Sequence, residues 1–185
     1  QDYLNIGATR AGALDALGLA LLNDVIGDLP FYAVDSVSEI EALANTVGKI
    51  MALANDQTPA ASLTLQDMQA LGITGVTSGQ LQVFTAMLQT PGVTAANADS
   101  LAELRTLLQT AAEQNALSVI TQYAENNTGT LPTSADFSFA GITGVNSQNL
   151  AAVQSALASA SVTGALADSR SEVQAIVNAY NLIQI

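Results

Sequence analysis

The sequence predicts an all-α protein: tandem three-helix-bundle repeats of about 69 residues joined through long helices. Three observations carry this. The pentapeptide GITGV occurs at 72–76 and returns 69 positions later at 141–145. The pattern Ser-x-x-Glu recurs at Ser36/Glu39, Ser100/Glu103 and Ser169/Glu172, each time ahead of apolar residues at three-four spacing. Strand-like alternation is confined to Val93-Thr94 and Phe137-Ser138-Phe139, too short to carry a sheet.

The duplication extends beyond the pentapeptide. Residues 72–111 laid on 141–180 without a gap are identical at 15 of 40 positions. The shared residues include Ser78/Ser147, Leu81/Leu150, Leu88/Leu157 and the tripeptides at 98–100 and 167–169. A partial third copy is expected at the N-terminus, where Leu14, Leu17 and Leu21 match Leu81, Phe84 and Leu88. There Asp35-Ser36 also matches Asp99-Ser100. Short insertions separate the copies, one between Val25 and Val34 and another of about six residues near 113–116. The expected division is a partial first repeat at 1–57, a second at 58–126 and a third at 127–185.

Within one repeat the first helix is short, roughly 65–71 and 135–140. Thr64 or Thr133 caps it, and Asp67 or Asp136 completes a capping box. Gly72 or Gly141 ends it, because glycine adopts the left-handed conformation without a Cβ penalty. GITGV is then a connector, with Ile and Val anchoring the turn on the core. The second helix is expected over 78–89 and 147–158; Leu81, Phe84 and Leu88 share one face, as do Leu150, Val153 and Leu157. The third helix starts at each Ser-x-x-Glu and is long, 36–55 and 100–126, with a kink or break expected near Gln114-Asn115. Its apolar stripe is Ile40, Leu43, Val47 and Ile50 in the first copy, and Val173, Ile176, Tyr180 and Ile183 in the last. Packing of this helix against its own repeat and the next would couple the repeats semi-rigidly.

Composition narrows the function classes. Apolar residues make up 49 % of the 185, enough for a core, but aromatics are only 4 % and Trp is absent. The core must be built from Ala, Leu, Val and Ile. Sixteen acids face four bases, Arg10, Lys49, Arg105 and Arg170, for a net charge of −12. That balance cannot neutralise phosphates, so nucleic acid and anionic lipid are not expected partners. The lack of Cys and His removes thiolate and imidazole chemistry. A thiol-free chain suits export to an oxidising milieu. No apolar run approaches the ~18 residues of a membrane span, so no membrane insertion is expected. A start at Gln1 without a visible signal peptide is expected of a piece of a longer chain.

Carboxylates are the only candidates for catalysis, with Asp24/Asp28, Glu39/Glu41 and Asp35/Glu39 the closest in sequence. Acid–base work needs two carboxyls in unequal environments of one cleft; the simpler reading is that Asp35 and Glu39 flank a helix start and the others are solvated. Calcium is the alternative, with oxygen ligands offered by 23–28 and by the turns at Asp99 and Asp168. None of these matches the spacing of a known calcium loop. The expectation is therefore no catalytic, cofactor or metal residue, no cofactor and no enzyme. Asn126-Asn127-Thr128 fits a glycosylation acceptor and reads as a polar linker. Of the four tyrosines, Tyr123 and Tyr180 fall on apolar stripes and Tyr3 is uncommitted. Tyr32, beside Pro30-Phe31 in a loop insertion special to the first copy, is the best candidate for a surface contact, with local packing the favoured reading.

The stretches ADFSFAGITGVNSQNLAAVQSAL and VTGALADSRSEVQAIVNAYNLI resemble tandem helical repeats of very large surface adhesins and biofilm-associated proteins of Gram-negative bacteria. The likeness covers the second and third copies well and the first in part. It implies a non-catalytic spacer in an extracellular, cell-surface protein, with neighbouring domains of the same chain as its partners. More distantly, the Ser-x-x-Glu helix is similar to the three-helix albumin-binding modules of Gram-positive surface proteins. This implies the alternative, a helical binding module for a host or matrix protein. Those modules are lysine-rich, whereas this chain has one lysine, and no contact residue carries over. A binder should present a contiguous apolar patch on one repeat, and a spacer should not.

Overall fold

A computed structural model describes residues 2–55, 62–127 and 129–183, the side chain of Ile183 excepted. The described residues form helices and turns with no strand, as the periodicity predicts. The α-helices are α1 (Asp2–Asn5), α2 (Thr9–Ala13), α3 (Ala16–Asp28), α4 (Val37–Ala54) and α5 (Leu65–Ala70). They continue as α6 (Ser78–Leu88), α7 (Leu101–Asn126), α8 (Ser134–Phe139), α9 (Leu150–Leu157) and α10 (Arg170–Ile183). Single 3-10 turns lie at Phe31–Ala33, Ala95–Asn97 and Gly164–Leu166. Gln1, residues 56–61, Thr128 and 184–185 fall outside the described residues, and with them the expected 57/58 repeat boundary and part of the Asn126-Asn127-Thr128 stretch.

The chain divides into two compact units, Gln1–Ala111 and Ala112–Ile185. In the first, Leu21 and Val25 of α3, Val47 and Ile50 of α4, Met68, Phe84 and Leu104 are buried in one core. The partial first copy and the following residues therefore share a single apolar interior. In the second unit, Ile120, Phe137, Val153, Leu157, Val173 and Val177 form the core. Phe84 and Phe137 are both fully buried, which is worth about 1.5–3 kcal/mol each by area. Thr121 Oγ donates to the Ala167 carbonyl (2.7 Å), and the Glu125 carboxylate accepts from Gly164 N (2.7 Å), fixing the third 3-10 turn on α7.

The predicted capping boxes form. Ser36 and Glu39 exchange bonds at the start of α4, Thr64 and Asp67 at α5, and Thr133 and Asp136 at α8. Ser169 and Glu172 pair in the same way, whereas at the start of α7 Ser100 bonds Glu103 while the returning bond to the Glu103 carboxylate comes from Asp99 N. The GITGV connectors close as the glycines require: φ is 73° at Gly72, 78° at Gly75, 72° at Gly141 and 83° at Gly144. Ile73 N reaches back to the Met68 carbonyl (3.0 Å) and Ile142 N to that of Phe137 (2.8 Å), which satisfies helix-end carbonyls. Both isoleucines are buried, so each turn is seated on its core.

The structure departs from the sequence expectations in three places. Helix α7 runs unbroken through Gln114-Asn115; the extra residues lengthen it. Helix α9 begins at Leu150, three residues later than expected, because Asn146 and Asn149 form a turn first. Phe31–Ala33 is a 3-10 turn and not an inserted loop. It leaves through Val34 at φ −142°, ψ 21°, matching Ala98 (−141°, 19°) and Ala167 (−143°, 30°) ahead of the other Ser-x-x-Glu starts. The residues added to the first copy are absorbed by α3, which is 13 residues long against 11 in α6.

Candidate functional site

Asp24, Asp28, Glu39 and Glu41 each have a protein partner. Asp24 accepts from Leu101 N (2.7 Å) and so caps α7 from a helix 77 residues away. Asp28 pairs with Arg105 at 2.7 Å, and Asn23 accepts from the Tyr3 hydroxyl. The 23–28 stretch thus faces protein donors. Glu41 accepts from Arg10 N (2.7 Å), while Glu39 turns to Ser36. Glu39 and Glu41 are neighbours in sequence with separate tasks, and no cleft joins them. Among the described residues no three carboxylates gather in a metal-binding arrangement.

The helix-start acids share one electrostatic pattern. The Ser36 hydroxyl bond holds Glu39 below its ordinary pKa. Ser169 and then Asp168 do the same for Glu172. Asp99 and Asp168 are pushed up, first by sharing a hydrogen bond with Glu103 or Glu172, with the adjacent negative charge adding to it. Such groups titrate at helix starts in open solvent and lack the dry cavity that acid–base catalysis requires.

Asp67 is the most embedded of the perturbed acids. Desolvation pushes its pKa up, but bonds from Lys49, Thr64 and Thr46 together outweigh that and hold it below the usual value. Lys49 and Arg10 line a polar hollow of about 390 Å³ with Asn45, Thr46, Thr64 and Asp67. Within it Lys49 lies 2.8 Å from Asp67, while Arg10 lies 3.9 Å from Glu41, which is not among the lining residues.

Two open grooves of the first unit are more apolar. One, of about 530 Å³, is lined by Leu63, Leu65, Leu81, Thr85 and Ala86 among others. The second, about 380 Å³, lies between the first 3-10 turn, α4 and α5, and is lined by Leu29, Pro30, Tyr32, Ala42, Leu43 and Ala70 among others. Tyr32 is 76 % exposed and Phe31 beside it 82 %, so both stand at the surface and the local packing favoured for Tyr32 from the sequence is not found. Phe31 was not a candidate from the sequence; its place on a one-turn helix, pointing away from the core, is a tertiary fact. Tyr123 and Tyr180 pack against the core of the second unit, and Tyr3 against that of the first.

The comparisons add no relative: no protein-family model matches the chain, and neither curated proteins nor solved structures give a match. No helix among the described residues is long and apolar enough to cross a membrane.

Proposed function

We propose that this chain is a non-catalytic spacer segment of an extracellular bacterial adhesin, presenting neighbouring domains of the same long chain and using no cofactor. The observation that supports this most is the employment of the repeated polar residues. Serine, threonine and carboxylate side chains that recur along the sequence are engaged at helix starts, where they satisfy backbone N–H groups. The recurring glycines shape connectors, and the net charge of −12 keeps such a surface from self-associating. Repetition here serves construction.

The test is a surface display series. A reporter domain is anchored to a bacterial outer surface directly, or through one or two copies of this chain. Antibody access to the reporter across the cell's polysaccharide layer is then measured. Access should rise with each copy, and the reporter should keep its activity. Equal access with and without the chain would contradict the spacer reading.

A further inference from the structure

The face around the first 3-10 turn is unlike its counterparts. Phe31 and Tyr32 stand 82 % and 76 % exposed at the turn, in a chain with four Phe and four Tyr in all. The matching positions of the other two turns hold Ala95-Ala96 and Gly164-Ala165. Val37, a few residues on, is 38 % exposed, and the 380 Å³ groove adjoins Tyr32. Exposing two aromatics carries a solvation cost that the backbone geometry does not demand, since the turns without aromatics exit at the same angles.

Charge selects the occupant. Glu39 lines the groove and Asp35 precedes the helix start beside it; neither is in an ion pair with a described cation. A second copy of this chain would bring another −12 against these carboxylates. Anionic lipid would be repelled in the same way. A segment that offers apolar side chains to the groove and cations to its rim is complementary in both respects.

We propose that Phe31, Tyr32 and the groove between the first 3-10 turn, α4 and α5 form a docking surface for a cationic, apolar segment of another protein. The aromatics supply the anchor area and Asp35 and Glu39 the steering field. This surface is a property of the first unit alone. By the criterion that a binder presents an apolar patch and a spacer does not, saturable binding here would favour the binding-module alternative, while the display series, which does not involve these residues, tests the spacer reading on its own.

The experiment titrates the intact chain with a short peptide of lysines and leucines, followed by backbone NMR shifts and by calorimetry. Peptides with glutamate in place of lysine, and with serine in place of leucine, serve as comparisons. The lysine–leucine peptide should bind saturably, with shifts centred on 29–43 and 69–70, and more weakly as salt rises. Phe31→Ser with Tyr32→Ser should weaken it at least about tenfold. Both side chains are exposed, so the variant should keep its helical circular dichroism. Asp35→Asn should give a smaller loss and a shallower salt dependence. The proposal is overturned by no saturable binding, by undiminished binding to the double variant, or by equal binding of either comparison peptide. Concentration-dependent self-association that the double variant abolishes would overturn it too, and would assign the face to a second copy.

Discussion

Lys49 Nζ lies 2.8 Å from Oδ1 and 2.9 Å from Oδ2 of Asp67, a bidentate bond that ties α4 to the start of α5. The same carboxylate accepts from the Thr64 hydroxyl (2.7 Å) and the Thr46 hydroxyl (3.1 Å). One side chain is at once the helix cap and the crosslink. Lys49→Met should cost about 1–2 kcal/mol, between the values of exposed and buried pairs, because Asp67 keeps its hydroxyl donors. Asp67→Ala should cost more, about 2–3 kcal/mol, since the cap goes as well. Urea denaturation of the two variants and the double variant measures both and their coupling.

The acids respond to pH with opposite signs. Asp67 has a lowered folded-state pKa, so its stabilisation is present above the unfolded value and lost as pH falls through the lower folded value. Asp99 and Asp168 have raised folded-state values, so their contribution is present at low pH and lost as pH rises through the raised value. The stability gap between the native chain and Asp67→Asn should narrow on acidification. Asp99→Asn should be neutral or stabilising at neutral pH, where Glu103 otherwise faces a second negative charge. Urea melts at a series of pH values read both.

The two GITGV turns separate backbone strain from crowding. A Cβ at Gly75 would meet nothing within 4 Å, whereas one at Gly144 would lie 3.1 Å from Asn181 Nδ2. Both have positive φ, so Gly75→Ala should cost about 1–2 kcal/mol from conformation alone. Gly144→Ala should cost more, because Asn181 also donates to the Gly144 carbonyl (3.1 Å) and must shift. Thermal unfolding of the two variants gives the difference.

Asn149 organises the second unit from a largely buried position. Its amide donates to the Gly144 carbonyl (2.7 Å) and to Asn181 Oδ1 (2.9 Å), and its oxygen accepts from Asn146 N (2.8 Å). Asn149→Leu should lower stability by about 1–3 kcal/mol, as the Asn146 N–H and Asn181 oxygen lose their partner. Hydrogen exchange should quicken first at the 144–150 amides.

Helix starts were legible because a capping box is local: Ser36 and Glu39 are three residues apart and need no tertiary knowledge. The Thr77–Gln80 box was equally local, though Ser78 drew attention as the repeated residue; Thr77 is the cap. Interactions closing over long loops were not legible. Asp24 reaching Leu101 N, and Gln174 bridging Thr143 through both amide atoms (2.8 and 3.0 Å), depend on how helices pack. Inserted residues were also misjudged. In α7 they extend the helix, because no proline or glycine near 113–116 opposes continuation; α3 continues through Gly27 and stops before Pro30. The exposed aromatic pair was only partly legible: Tyr32 stood out by its place in the expected insertion, with local packing favoured, and Phe31 needed the fold.

The central claim is that the recurring carboxylates are helix caps and crosslinks, not ligands for a metal. The most direct measurement is the melting temperature of the intact chain in calcium against magnesium at equal millimolar concentration. The account predicts coincident transitions, since each ion only screens the negative surface. A saturable rise specific to calcium, removed by Asp99→Asn with Asp168→Asn, would contradict it.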